Sequence, residues 1–208
     1  MYCNNCKNYQ VFRLIHLDSN KSVLIVLDPQ KGFTNSEGTI AKAFGFEELK
    51  EVQDTLDKLN AFLKSLDKNQ QVLFIRSEYK PGQFTNGDLK NPLSNLCVKD
   101  SFDCEWADGL YIPKNATILS KYRTDATYEH DYLNYLEYKL GEQYTELYFA
   151  GFMTSTCIKK TILSTENFFH TKFKYNLLKN LSAARSSYYK DRLSKITADL
   201  EKVGCEIV

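Results

Sequence analysis

The chain has no apolar run approaching the roughly 18–20 residues that a membrane-spanning helix needs, which argues against an integral membrane protein. It also lacks net charge of either sign. With 27 basic against 26 acidic side chains and no Lys/Arg stripe, nothing in it recruits nucleic acid or an anionic membrane. Histidine is scarce, at three residues, so metal sites built on imidazole have little to draw on. No Pro/Gly-rich linker, internal repeat or low-complexity tract interrupts the 208 residues, and one domain over residues 1–208 is expected for this length. The opening "MYCNNCKNYQVFRLIHLD" has neither the basic nor the apolar region of a secretory signal. A cytoplasmic protein is expected. There the six cysteines, Cys3, Cys6, Cys97, Cys104, Cys157 and Cys205, stay reduced and must be read for packing, metal or catalysis.

What is present suits a well-filled core: 43% hydrophobic and 13% aromatic residues. "SVLIVLD", residues 22–28, is a continuous apolar run ending in an acid, as in a parallel strand buried on both faces. Leu49, Val52, Leu56, Leu59, Leu63 and Leu66 recur at steps of three and four, predicting an amphipathic helix laid on the sheet. Further strands are predicted at 71–75, 116–120, 145–151 and 173–178, with a short last one at "CEIV". Helices fall between them: one around Leu133–Leu140 closed by a left-handed Gly141, one opening at Thr156–Cys157, and one from Tyr189 to Val203. This alternation predicts a three-layer α/β/α fold with a mainly parallel, doubly wound sheet. Residues 1–20 form an N-terminal extension. Residues 77–115, with Pro81, Gly82, Pro92 and Pro113 and no periodicity, read as a lid or binding loop over the carboxyl edge, where open α/β sheets bind ligands.

Asp28, Lys121 and Cys157 sit at or just after the carboxyl ends of three predicted strands, so a parallel sheet brings them to one crevice. An acid, a lysine and a thiol there suit acyl transfer, with the thiolate as nucleophile, the carboxylate as proton acceptor and the ammonium holding the charges. A strand–turn–helix elbow at Cys157 is expected to expose the sulfur, and the helix N-terminus to lower its pKa. Taken singly, each has a plainer role: a small core thiol, a turn-capping Asp, a solvated strand-end Lys.

Three segments carry a family resemblance. "VLIVLDPQKGF" resembles the first motif of isochorismatase-like cysteine hydrolases, "ILSKYRTDAT" their second and "LYFAGFMTSTCIKKT" their third, in the family's order. The resemblance implies Asp28 as general base, Lys121 as charge-stabilising partner and Cys157 as nucleophile. It also implies a cis peptide at Phe152–Met153, directing the Met153 N–H, with that of Cys157, at a developing oxyanion. Phe33 matches a pocket-lining aromatic and, with Met153, is expected to bind substrate; a homo-oligomer is implied by resemblance alone.

Nicotinamidases of that family hold a zinc or iron ion with an Asp and histidines after the second strand. Here that stretch reads "SEYKPGQF", and His16, His130 and His170 lie elsewhere, so no catalytic metal or cofactor is expected. Cys3 and Cys6 have the spacing of half a zinc site that Cys97 and Cys104 could complete, although the family does not require one. Thr127 replaces a usual phenylalanine, and Asn180 stands where an Asp often ends the fifth strand; both changes bear on the substrate. The expected activity is hydrolysis of a C–N bond in a small amide or ureide. The alternatives are hydrolysis of a vinyl ether with Asp28 as acid and no need for the cysteine, and a catalytically silent interaction protein.

Overall fold

A computed structural model of the chain describes residues 15–208, apart from the side chains of residues 188–191. Cys3 and Cys6 fall outside the described residues. The apolar run becomes strand β1, Ser22–Leu27, and all six of its residues are buried. Its side chains alternate between the two faces of the sheet. Val23, Ile25 and Leu27 enter one apolar cluster, while Leu24 and Val26 enter another. Two covered faces are why the strand reads as a continuous hydrophobic stretch.

Two short helices, α1 (Lys31–Thr34) and α2 (Thr39–Phe44), precede the long amphipathic α3, Lys50–Ser65. Then follow β2 (Gln71–Ser77), β3 (Thr117–Lys121), α4 (His130–Asn134), β4 (Glu146–Phe152), α5 (Lys159–Phe169), β5 (Lys174–Ala183), α6 (Ser186–Glu201) and β6 (Glu206–Ile207). The sheet order is β3-β2-β1-β4-β5-β6, and every pairing is parallel. The predicted three-layer, doubly wound α/β/α architecture is therefore observed. Leu59, Phe62 and Leu63 of α3 pack on one face, and Tyr132, Ile162, Ile196 and Leu200, from α4, α5 and α6, pack on the other.

A third cluster caps the carboxyl edge with Phe33, Ile40, Leu49, Val52, Tyr79, Leu96, Phe152 and Met153. The segment expected as an aperiodic loop carries two single 3₁₀ turns, Pro92–Asn95 and Phe102–Cys104. It is tied to the body by isolated bridges Tyr79–Val98 and Gln30–Trp106 and by the bond from Ala107 N–H to the Pro29 carbonyl.

Two local expectations fail. The helix before β4 ends in a π-helical turn, Tyr135–Lys139, closed by Leu140 in extended conformation, so Gly141 is not a left-handed cap. Strand β5 runs on to Ala183 past a register break between Phe149 and Gly151, which leaves Asn180 exposed within the strand rather than at its end.

Gly151 is where β4 comes nearest to β1. Its φ is +108°, and a Cβ there would collide with the Leu27 carbonyl oxygen. Gly109, also at positive φ, has open space around it. Gly151→Ala is therefore expected to cost about 2–5 kcal/mol, the sum of backbone strain and overpacking, against about 1–2 kcal/mol for Gly109→Ala. Urea unfolding of the two variants checks the difference.

Candidate active site

The strand order reverses between β1 and β4, and Asp28 and Cys157 come from the two sides of that switch point. Asp28 follows β1 directly with a left-handed φ of 55°, a conformation that Asp tolerates better than most residues. Its N–H bonds the Ile75 carbonyl at 2.8 Å. Gln30 then clamps the end of β2: its Nε2 donates to the Ser77 carbonyl at 2.9 Å, and its Oε1 accepts the Ser77 N–H at 2.7 Å. Lys121 ends β3, two strands away from β1. With neighbouring strands about 4.8 Å apart, only a long side chain crosses that gap.

It crosses over Ser77. Lys121 Nζ donates to Ser77 Oγ at 2.6 Å, and Ser77 Oγ donates to Asp28 Oδ1 at 2.8 Å. Nζ lies 3.0 Å from Asp28 Oδ2, and both side chains are 0% exposed. That contact is a charge pair rather than an aligned hydrogen bond, since Oδ2 has no hydrogen-bond partner among the described residues. Nζ also donates to Tyr79 Oη at 3.0 Å, and that hydroxyl lies 3.8 Å from Cys157 Sγ. Cys157 belongs to a π-helical turn, Thr154–Ile158, which leads from β4 into α5; the Phe152–Met153 peptide just before it is cis. Asp28, Lys121 and Cys157 thus meet in one buried group.

The expectation of an exposed, acidic thiol is corrected. Cys157 is only 2% exposed, and burial pushes its pKa up to about 11. The Lys121 ammonium pulls the other way, and the neighbouring Asp28 carboxylate reinforces the rise. The favourable field of a helix start is outweighed by desolvation of the thiolate, which is the larger effect for a group out of water. Burial by itself would drive the Lys121 ammonium to lose its proton, yet Asp28 and its other neighbours hold it well above the usual lysine range. The resting site is accordingly a thiol beside a charged pair. Alkylation of Cys157 by iodoacetamide is expected to be slow at pH 8 and still climbing at pH 10, following the thiolate fraction toward a pKa of about 11. A peptide-mass time course across pH checks it, and a plateau below pH 8 would mark a helix-acidified thiol.

Above the sulfur is a cavity of about 290 Å³ lined mainly by Phe33, Phe44, Tyr79, Phe84, Leu96 and Met153, with Thr124, Ser155 and Thr156 beside Cys157 and Arg185 stacked on the Phe44 ring at 3.7 Å. Phe33 and Met153, named from sequence, both line it. Ser77, Tyr79, Gln30 and Arg185 were missed. The first two sit at or just past the carboxyl end of β2, so the strand-end logic that found Asp28 and Lys121 would have found them as well. His16, His130 and His170 are exposed, and none lines the cavity.

The family model described as Isochorismatase domain matches residues 22–167. Among solved structures, the fold is shared with the pyrazinamidase of Pyrococcus horikoshii in complex with zinc, at TM-score 0.70 and 19% identity over 90% of this chain and 98% of that one. It is likewise shared with PnC1 from L. infantum in complex with nicotinate, at 0.70 and 19% over 93% and 95%. The N-carbamoylsarcosine amidase of Thermoplasma acidophilum gives 0.59 and 16% over 90% and 95%. No curated protein sequence matches the chain significantly.

A metal like the zinc of the Pyrococcus horikoshii complex finds no donor set among the described residues. Among the described residues no group of three His, Cys, Asp or Glu could hold an ion, and the cavity lining contains no His, Asp or Glu. Glu78, the acid just after β2, is committed to Arg76 at 2.6 Å and to the Ser120 hydroxyl at 2.9 Å. Cys97 and Cys104 donate to the carbonyls of Asp103 and Ser77, and Cys3 and Cys6, with which they could complete a zinc site, lie outside the described residues.

Proposed function

Because the chain belongs to the isochorismatase family and is a hydrolase, we propose that it cleaves the C–N bond of a small amide or ureide without a metal, through an acyl-enzyme on Cys157. The observation that carries this reading is the buried Asp28–Lys121–Cys157 group beneath an apolar cavity whose lining contains no His, Asp or Glu. A protonated thiol is inert until its proton leaves, and Asp28, whose Oδ2 has no hydrogen-bond partner among the described residues, is the acceptor beside it.

In the proposed first step the sulfur attacks the carbonyl carbon, its proton passes to Asp28, and the carbonyl electron pair moves onto oxygen. Backbone N–H groups of Met153 and Cys157 stabilise that oxyanion; Cys157 lies in the helical turn that opens α5, between Thr156 and Ile158, whose own N–H groups bond the Met153 carbonyl. Collapse expels the amine, which takes the proton held by Asp28. Water then attacks the thioester, again with Asp28 as base, and releases the acid and the thiol. Lys121 lies beside the Asp28 carboxylate as its counter-ion, and Ser77 fixes the carboxylate's orientation.

The aromatic walls favour an apolar or planar acyl group, with Arg185 as the cation of the lining. The chemistry needs no second macromolecule, and a small molecule is the partner. Ammonia release from a panel of amides and ureides, run beside a vinyl-ether substrate, tests the proposal. Turnover of the vinyl ether alone would replace it with the acid-catalysed alternative, in which Asp28 protonates the substrate.

A further inference from the structure

We infer that Tyr79 is a further catalytic residue of this site, its hydroxyl donating a hydrogen bond to the Cys157 sulfur as negative charge develops there, while its ring forms a wall of the substrate cavity. The inference rests on the Cys157 mechanism proposed above.

The hydrogen bonds leave the hydroxyl this one role. An ammonium only donates, so Tyr79 Oη accepts from Lys121 Nζ at 3.0 Å. A phenol has one O–H of its own, and the other polar contact of that oxygen is Cys157 Sγ at 3.8 Å. The hydrogen bonds of Lys121 go to Ser77, Tyr79 and Arg123, and none to the sulfur. Tyr79 is therefore the group that carries the lysine's polarisation to the nucleophile. A buried phenol needs a partner, and at 3% exposure this one has two that belong to the proposed chemistry. A sulfur contact of that length shortens as charge builds on the acceptor.

The ring is not free to drift. The Tyr79 N–H bonds the Cys97 carbonyl at 2.9 Å, the residue bridges to Val98, and the ring meets Phe84 edge-on at 4.7 Å between centroids. Burial, then the nearby Cys157 and Asp28, hold the phenol proton well above the ordinary tyrosine range, although Lys121 opposes this. The hydroxyl thus remains a donor wherever the thiol ionises. No proton passes through it: the thiol proton goes to Asp28, and Tyr79 and Lys121 keep theirs throughout.

Tyr79→Phe keeps the wall and removes the donor. Iodoacetamide alkylation of Cys157 at pH 8 is expected to slow about tenfold, and kcat on the best amide of the panel to fall about ten- to a hundredfold, as for loss of a hydrogen bond to an ionised group. KM should stay within about twofold, because the ring still packs against substrate. Placing 3-fluorotyrosine at position 79, a stronger donor of nearly the same shape, should speed alkylation, and it reads the effect even if the phenylalanine variant fails to fold. Wild-type alkylation and kcat in Tyr79→Phe, or alkylation with 3-fluorotyrosine no faster than wild type, overturns the inference. Turnover retained by Cys157→Ala would instead sink the mechanism beneath it, so the two failures are told apart.

Discussion

Cys157→Ala is expected to lose amide hydrolysis by at least about 10⁴-fold, the scale seen when a covalent nucleophile is removed, while unfolding within about 1 kcal/mol of the wild type. The two halves of this result have different causes. Activity falls because no other described thiol reaches the cavity: Cys97, Cys104 and Cys205 are buried and absent from its lining. Stability holds because the change removes one sulfur that already faces a void, so little new cavity is created. Steady-state turnover and urea denaturation on the same preparation measure both. A variant that still turns over a vinyl ether at the wild-type rate would favour chemistry in which Asp28 acts as an acid and sulfur is idle.

The second large effect is on the charge pair. Lys121→Met is expected to abolish turnover and to cost about 3–5 kcal/mol of stability, since it leaves the Asp28 carboxylate buried without its counter-ion. Lys121 and Asp28 are both 0% exposed at the side chain, so water cannot replace the lost partner. Their separation of 3.0 Å and the Ser77 hydroxyl shared between them make the loss one of charge and hydrogen bonding together. The double variant Asp28→Asn/Lys121→Met removes the unpaired charge as well, and it should recover much of the lost stability while remaining inactive. A denaturant-based double-mutant cycle over the four proteins measures this coupling. Equal and additive losses would mean that the two residues do not act as a pair.

Much of the architecture was legible because the sheet is parallel and covered on both faces. Continuous apolar runs such as Ser22–Leu27 and the three-four spacing of α3 are direct consequences of that burial. Asp28, Lys121 and Cys157 were legible for a topological reason: strand ends of a parallel sheet share one edge. The sequence was silent on how deep that edge lies. Phe33, Tyr79, Leu96 and Met153 build a third cluster above it, and this roof turns an expected exposed, acidic thiol into a buried one with a pKa of about 11. Tyr79 and Ser77 escaped notice because β2 runs on to Ser77, past its apolar core, and its end was placed too early. Gly141 misled for a local reason: the π-helical turn before it uses Leu140 to leave the helix, so no left-handed residue is needed there.

One measurement bears most directly on the proposed chemistry: intact-mass analysis of the wild-type protein, acid-quenched during turnover of the best amide or ureide of the panel, followed by peptide mapping. The expected result is an adduct of the acyl fragment's mass on the Cys157 peptide, gone once substrate is exhausted and missing from Cys157→Ala. Steady turnover with no adduct at any quench time, together with full activity of Cys157→Ala, would contradict covalent catalysis at this cysteine.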